Sequence, residues 1–224
     1  MPELHQPSSS DTFQIPKIIP IFPLPNVVFF PNTYLPLHIF EQRYQEMVAE
    51  TSREGFCIGM VLLKEGWEDD YYENPPVHSL GCVGRIRSIQ PLDDGRSNIV
   101  LHGLQRFDIE EETGEGTYRR AKISLRERAP FQALPTPSLR LPLMKLALQY
   151  LQSKNAQDLC KLITGATLSD AVLVNSLSSC LDFTAVEKQF LLESESLIQQ
   201  SRRLTDLLKF KLQPHTKELP GCNS

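Results

Sequence analysis

The 224-residue chain has no uninterrupted apolar run of about 18 residues, the length a helix needs to cross a bilayer. Its opening, Met1 to Asp11, has neither a basic start nor an apolar stretch and does not read as a secretory leader. Cysteine is sparse. Cys57, Cys82, Cys160, Cys180 and Cys222 are odd in number and far apart, and no Cys-x-x-Cys pair occurs. That argues against a disulfide framework and against a thiolate zinc site. Cys222, third from the end, does not fit the four-residue prenylation signal. A cytoplasmic setting with no membrane contact is the expectation. An excess of positive charge is lacking too: 23 Lys and Arg stand against 27 Asp and Glu, a formal net charge of −4. No overall basic field draws in nucleic acid, which is disfavoured as a partner.

The usual signatures of catalysis are absent from the sequence. There is no Gly-x-x-x-x-Gly-Lys-Ser/Thr loop to cradle phosphates and no Gly-x-Ser-x-Gly elbow. His5, His38, His78, His102 and His215 are scattered, with no His-x-x-x-His or His-Glu-x-x-His spacing. No metal, no cofactor and no catalytic residue is expected, and the chain reads as a non-enzyme. A hydrolase whose nucleophile is assembled from distant residues is the enzymatic alternative.

What is present suits a globular core: 41% of residues are hydrophobic and 22% charged. Residues 1–14 read as a mobile polar tail. From 15 to 128 the pattern is mostly β. Five prolines between Pro20 and Pro36 interrupt Ile21, Phe22, Leu24, Val27, Val28, Phe29 and Phe30, which predicts short, kinked edge segments. Tyr44, Met47 and Val48 put one apolar face on a predicted helix over 41–53. Phe56 to Leu63 reads as a buried strand. Phe107 and Ile109 alternate with charged neighbours, as do Ala121, Ile123 and Leu125, so these segments predict strands with one wet face. Asp93-Asp94-Gly95-Arg96 predicts a hairpin, with Gly95 at positive φ. Residues 129–138, with three prolines, read as a linker. Residues 139–212 read as helical, with Thr184-Ala185-Val186-Glu187 as a capping box, and 213–224 as a second polar tail. The class is α+β.

Several motifs occur in a telling order: Ile19-Pro20-Ile21-Phe22-Pro23-Leu24, Val27-Val28-Phe29-Phe30-Pro31, and Leu35-Pro36-Leu37-His38-Ile39-Phe40-Glu41-Gln42-Arg43-Tyr44. Then come Gly81-Cys82-Val83-Gly84-Arg85-Ile86, Asp94-Gly95-Arg96, Gly103-Leu104-Gln105-Arg106-Phe107 and Tyr118-Arg119-Arg120-Ala121. This series resembles the N-terminal, substrate-binding domain of Lon proteases. Asn32 departs from the family's usual glycine, and Gln42 from a frequent proline. Asn tolerates left-handed backbone, and either residue can open a helix. The resemblance implies a PUA-like, twisted, β-barrel-like sheet with one helix, followed by a C-terminal helical bundle. It also implies recognition without chemistry, because no ATPase or protease motif follows. On this basis the chain is expected to be a proteolysis adaptor that binds exposed hydrophobic segments of unfolded or extended client proteins. A protease or chaperone is a candidate associate, and self-association is left open. PUA-like folds include RNA binders, so a basic strip of Arg85, Arg87, Arg96, Arg106, Arg119 and Arg120 is the alternative site. The acidic residues Asp93, Asp94, Asp108, Glu110, Glu111 and Glu112 argue against it.

The aromatic cluster Phe22, Phe29, Phe30, Tyr34, Phe40 and Tyr44 is mostly expected to be core. Proline-broken strands leave open edges that can dock an extended peptide. Phe30 and Tyr34 are the rings expected to line such a groove. Trp67, in the acidic Trp67-Glu68-Asp69-Asp70-Tyr71-Tyr72-Glu73 loop, is a third candidate.

Overall fold

The computed structural model describes residues 14–54, 57–69, 71, 73–114, 116–126, 134–165 and 168–213. Both expected tails, apart from Gln14 and Gln213, and residues 129–133 of the expected linker lie outside the described residues.

The N-terminal part contains β1 (Ile18–Leu24), β2 (Tyr34–Ile39), α1 (Gln42–Glu54), β3 (Cys57–Leu62), β4 (Leu80–Pro91), β5 (Ser97–Thr113) and β6 (Arg120–Leu125). The strands form one mixed sheet in the order β2-β5-β4-β3-β1-β6. Among the described residues only β1 and β3 pair in parallel, and the connection between them carries β2 and α1. The long β5 pairs with β2 through its first half and with β6 through its second. The sheet therefore rolls back on itself from β6 to β5 and leaves β2 outside the ring. It is a curled sheet with one strand left over, not the simple barrel-like form expected.

Each turn follows from its residues. The β4–β5 hairpin closes on Gly95 at φ 85°. Asn32 enters β2 at φ 61°, the left-handed conformation that Asn tolerates and most L residues avoid. Gln42 opens α1.

The three apolar clusters explain the strand patterns. Ile19, Ile21, Val61, Val83, Phe107 and Ile123 fill the inside of the curl. Phe22, Phe29, Ile39, Ile58, Met60, Ile99 and Leu101 pack on the other side, under Tyr44, Met47 and Val48 of α1. β3 lies between the two clusters and is buried at every position, so it reads as an unbroken apolar run.

A π-helical turn, Thr136–Arg140, leads into α2 (Leu141–Ser153), α3 (Gln157–Gly165), α4 (Asp170–Cys180), α5 (Ala185–Leu192) and α6 (Leu197–Leu212). Ser169, Thr184 and Ser196 cap α4, α5 and α6, and Thr184 with Glu187 completes the capping box. The helices share a third cluster with the sheet: Val28, Phe30, Leu62 and Leu80 pack among Leu173, Leu177, Leu191 and Leu204. The end of the expected linker belongs to this body as well. Leu134 is buried, and its N–H donates to the Asp170 carboxylate at 2.7 Å. No helix among the described residues is long and apolar enough to cross a membrane.

Candidate functional site

The strand left outside the ring forms an edge. Gly103 N donates to Thr33 O at 2.9 Å, and Tyr34 is paired with His102. In an antiparallel ladder such a bond flanks a pair that exchanges no main-chain hydrogen bonds. The ladder then alternates. Leu35, Leu37 and Ile39 turn their main-chain groups toward β5, while Tyr34, Pro36 and His38 turn theirs outward. Pro36 thus falls where its missing N–H costs the ladder nothing. The side chains alternate accordingly. Leu35, Leu37 and Ile39 pack toward the α1 core, and Tyr34, Pro36 and His38 are exposed.

Tyr34 is 63% exposed and rests against His102, ring centroids 4.9 Å apart. Further along, His38 Nδ1 lies 2.8 Å from Asn98 Oδ1, and its ring stacks on Phe40, itself 62% exposed. Beside Tyr34 the same face of the sheet opens into a hollow of about 740 Å³. Its floor is Ile15, Leu104 and Leu125; Leu125, expected on the dry face of its strand, is 40% exposed there. Its polar lining is Gln14, Gln105, His102, Arg85 and Arg87. Burial, and then the neighbouring Arg87 charge, push the His102 imidazole below its ordinary pKa and favour the neutral ring. Its Nδ1 is enclosed and has no hydrogen-bond partner among the described residues.

The sequence-predicted rings are not brought together. Phe30 is fully buried, so it does not line a groove: it packs in the core shared by sheet and helices, and the Gly103 backbone closes over its carbonyl. Tyr34 stands on the open edge. Trp67 is half-buried and meets Tyr71 edge-on at 5.5 Å. Tyr71 donates to Glu41 at 3.0 Å and lies under the Arg43 guanidinium, so the Trp67 loop folds back on the start of α1.

The basic strip is also dispersed. Arg96 pairs with Asp94, Arg119 with Glu112 and Arg120 with Glu50. Arg106 points away from solvent and donates to the Leu192 and Ser194 carbonyls at the end of α5, which ties the sheet to the helices. Burial, then the charge of Arg126, lower its pKa from the ordinary arginine value. A polar cleft of about 530 Å³ between the 73–76 and 112–120 segments holds Arg119 and Arg120 with their carboxylate partners nearby. Among the described residues no group of three or more His, Cys, Asp or Glu is arranged to hold a metal. Burial pushes the Cys57 thiol up to about 12 and raises that of Cys82, so neither is an activated nucleophile. The hollow itself was hard to read from sequence. Arg85 and Arg87 were visible as part of the strip and Leu104 lies within the Gly103–Phe107 motif, but His102 carries no motif beyond strand alternation.

This curled mixed sheet fused to a helical body is similar in fold to solved Lon N-terminal domains. The N-terminal domain of the Mycobacterium avium complex Lon protease superposes with a TM-score of 0.67 at 20% identity, covering 88% of this chain and 100% of that one. A Lon N-terminal domain protein from Xanthomonas campestris gives 0.60 at 22% identity, covering 86% and 98%. The family model for the ATP-dependent protease La (LON) substrate-binding domain matches residues 18–209, and the chain belongs to that family. Among full-length relatives, Lon protease 2 of Myxococcus xanthus is 28% identical over 88% of this chain, and Lon protease of Anaeromyxobacter dehalogenans 27% over 94%. The chain spans about a quarter of their length, 24% and 25%.

Proposed function

We propose that this chain is a non-catalytic protein-binding module that recognises exposed hydrophobic stretches of unfolded or extended client proteins. It does so in the cytoplasm and hands them to a protease or chaperone. Membership of the Lon substrate-binding family supports the general role. The observation that carries the mechanism is the β2 edge. Tyr34, Pro36 and His38 turn main-chain groups outward, and Tyr34 offers a large exposed ring beside them. An extended segment can add to such an edge through main-chain hydrogen bonds, while an aromatic anchor supplies contact area.

The test is a binding titration with one client in its folded and its permanently unfolded form. The unfolded form is expected to bind and the folded form to bind weakly or not at all. His38→Pro removes an outward N–H and leaves the inward ladder intact, so it should melt close to the wild type and bind the unfolded client less well. Equal binding of both client forms, or a folded His38→Pro variant with undiminished affinity, would rule out edge recognition.

A further inference from the structure

The outer edge of β2 is short and closed at both ends. Its outward main-chain groups belong to Tyr34, Pro36 and His38. Before them, Asn32 holds left-handed backbone, and its N–H donates to the Gly103 carbonyl at 2.8 Å. After them, the Phe40 carbonyl accepts from the Gln45 side-chain amide at 3.0 Å. A proline therefore stands at the centre of the available edge. Its missing N–H is harmless to the pairing with β5 but faces the place where an added strand would lie. Among the described residues no other strand covers that side.

A foreign strand and a second copy of β2 meet this proline differently. Against an antiparallel partner without proline, Tyr34 and His38 can each exchange two main-chain hydrogen bonds, and Pro36 can still accept one. When the partner is β2 of another copy, proline enters the seam from both sides. With Pro36 opposite Pro36, the central pair exchanges no bond, and Tyr34 opposite His38 must hold each end. Shifting the register to place Pro36 opposite His38 or Tyr34 separates the prolines. It also carries one residue of each copy past the end of the stretch, opposite Phe40 or Asn32, whose groups are already engaged.

We propose that Pro36 bars two copies of this chain from pairing edge to edge through β2 and so leaves that edge free. An open edge strand is a template for association with its own kind, and proline on the edge is one way such pairing is blunted. The bar follows from the geometry of the edge alone. That the free edge serves extended client segments rests on the reading of β2 as a client-binding strand.

The experiment uses the full chain and Pro36→Val, which restores the N–H, suits a strand and changes an exposed side chain. Sedimentation over a series of concentrations reads self-association, and a titration with an unfolded client reads binding. Two regained hydrogen bonds per pair of copies should tighten self-association by about tenfold or more over the wild type. The one bond regained toward a client should tighten client binding by roughly threefold. The double variant P36V/H38P loses an outward N–H again and should self-associate close to the wild-type level. Should Pro36→Val melt well below the wild type, Pro36→Ala restores the same N–H with a smaller side chain. A folded Val or Ala variant that self-associates no more than the wild type overturns the bar. So does a wild type whose own self-association is abolished by His38→Pro. If Pro36→Val self-associates as expected while neither it nor the wild type binds the unfolded client, the bar stands and the client reading of β2 falls.

Discussion

Two stretches separated by three residues behave in opposite ways. Val28, Phe29 and Phe30 turn inward and bury almost all their surface, whereas Tyr34 to Phe40 presents an outer face to solvent. Both carry large aromatic rings and have a proline in or beside them, so composition does not distinguish them. Covering does. The first stretch is roofed by the helical body, with Val28 and Phe30 packed among α4, α5 and α6 residues. Among the described residues the second is paired on one side only, by β5. A large ring becomes core or contact surface according to what the rest of the chain lays over it.

The sharpest test of this contrast is the ring at its inner end. Phe30→Ala should destabilise the protein by about 3–5 kcal/mol, since it empties a fully buried aromatic site where sheet and helices meet. Chemical denaturation measures it. A loss below about 1 kcal/mol, the size expected of a surface change, would mean that the helical body does not cover this stretch in solution.

The switch from inward to outward depends on tight backbone passage. Gly103 lies against the Phe30 carbonyl and Pro31, and a methyl group there would collide with backbone that cannot swing aside. Gly103→Ala should therefore cost about 1–3 kcal/mol by overpacking. Asn32→Ala should cost about 1–2 kcal/mol through its left-handed backbone, and Asn32→Gly close to nothing. If Ala and Gly at position 32 gave the same melting temperature, the turn would not hold that conformation. The helical body provides a comparison remote from the turn. Thr184→Ala removes one half of the capping box and should cost about 1 kcal/mol without altering client binding.

Much of the fold was legible because it is local. Gly95, Asn32, Gln42 and the Thr184–Glu187 box act within a few residues of themselves, and the structure puts each in its expected role. Phe107 and Phe22 followed from strand alternation and a tight apolar run, and both are buried. What escaped was set by distant contacts. Phe30 looked like a strand-end ring, and only the packing of α4 to α6 over it, more than a hundred residues later, makes it core. Leu125 alternates correctly with Ile123 yet lies where the curl opens, so the same periodicity leaves it half in water. Arg106 read as one member of a basic strip, although its partners are main-chain carbonyls at the end of α5 that no charge pattern reveals.

The smallest expected change in stability belongs to the ring at the outer end. Tyr34 keeps most of its surface in water, and its ring rests against His102. Truncation to Ala removes little buried area, and a surface substitution of this kind changes stability by about 0.5 kcal/mol or less. Binding should respond differently. An exposed tyrosine beside outward-facing main chain is the kind of rigid, amphipathic anchor that carries a disproportionate share of interface energy, so Tyr34→Ala should weaken binding of an unfolded client by roughly tenfold. Tyr34→Phe keeps the ring and should retain most of the affinity, which separates ring contact from hydroxyl bonding. A thermal melt beside a binding titration reads both effects in one preparation. If Tyr34→Ala stays folded and binds as the wild type does, the ring is not the anchor. The Trp67 loop, folded against Tyr71 and the start of α1, then becomes the surface to truncate.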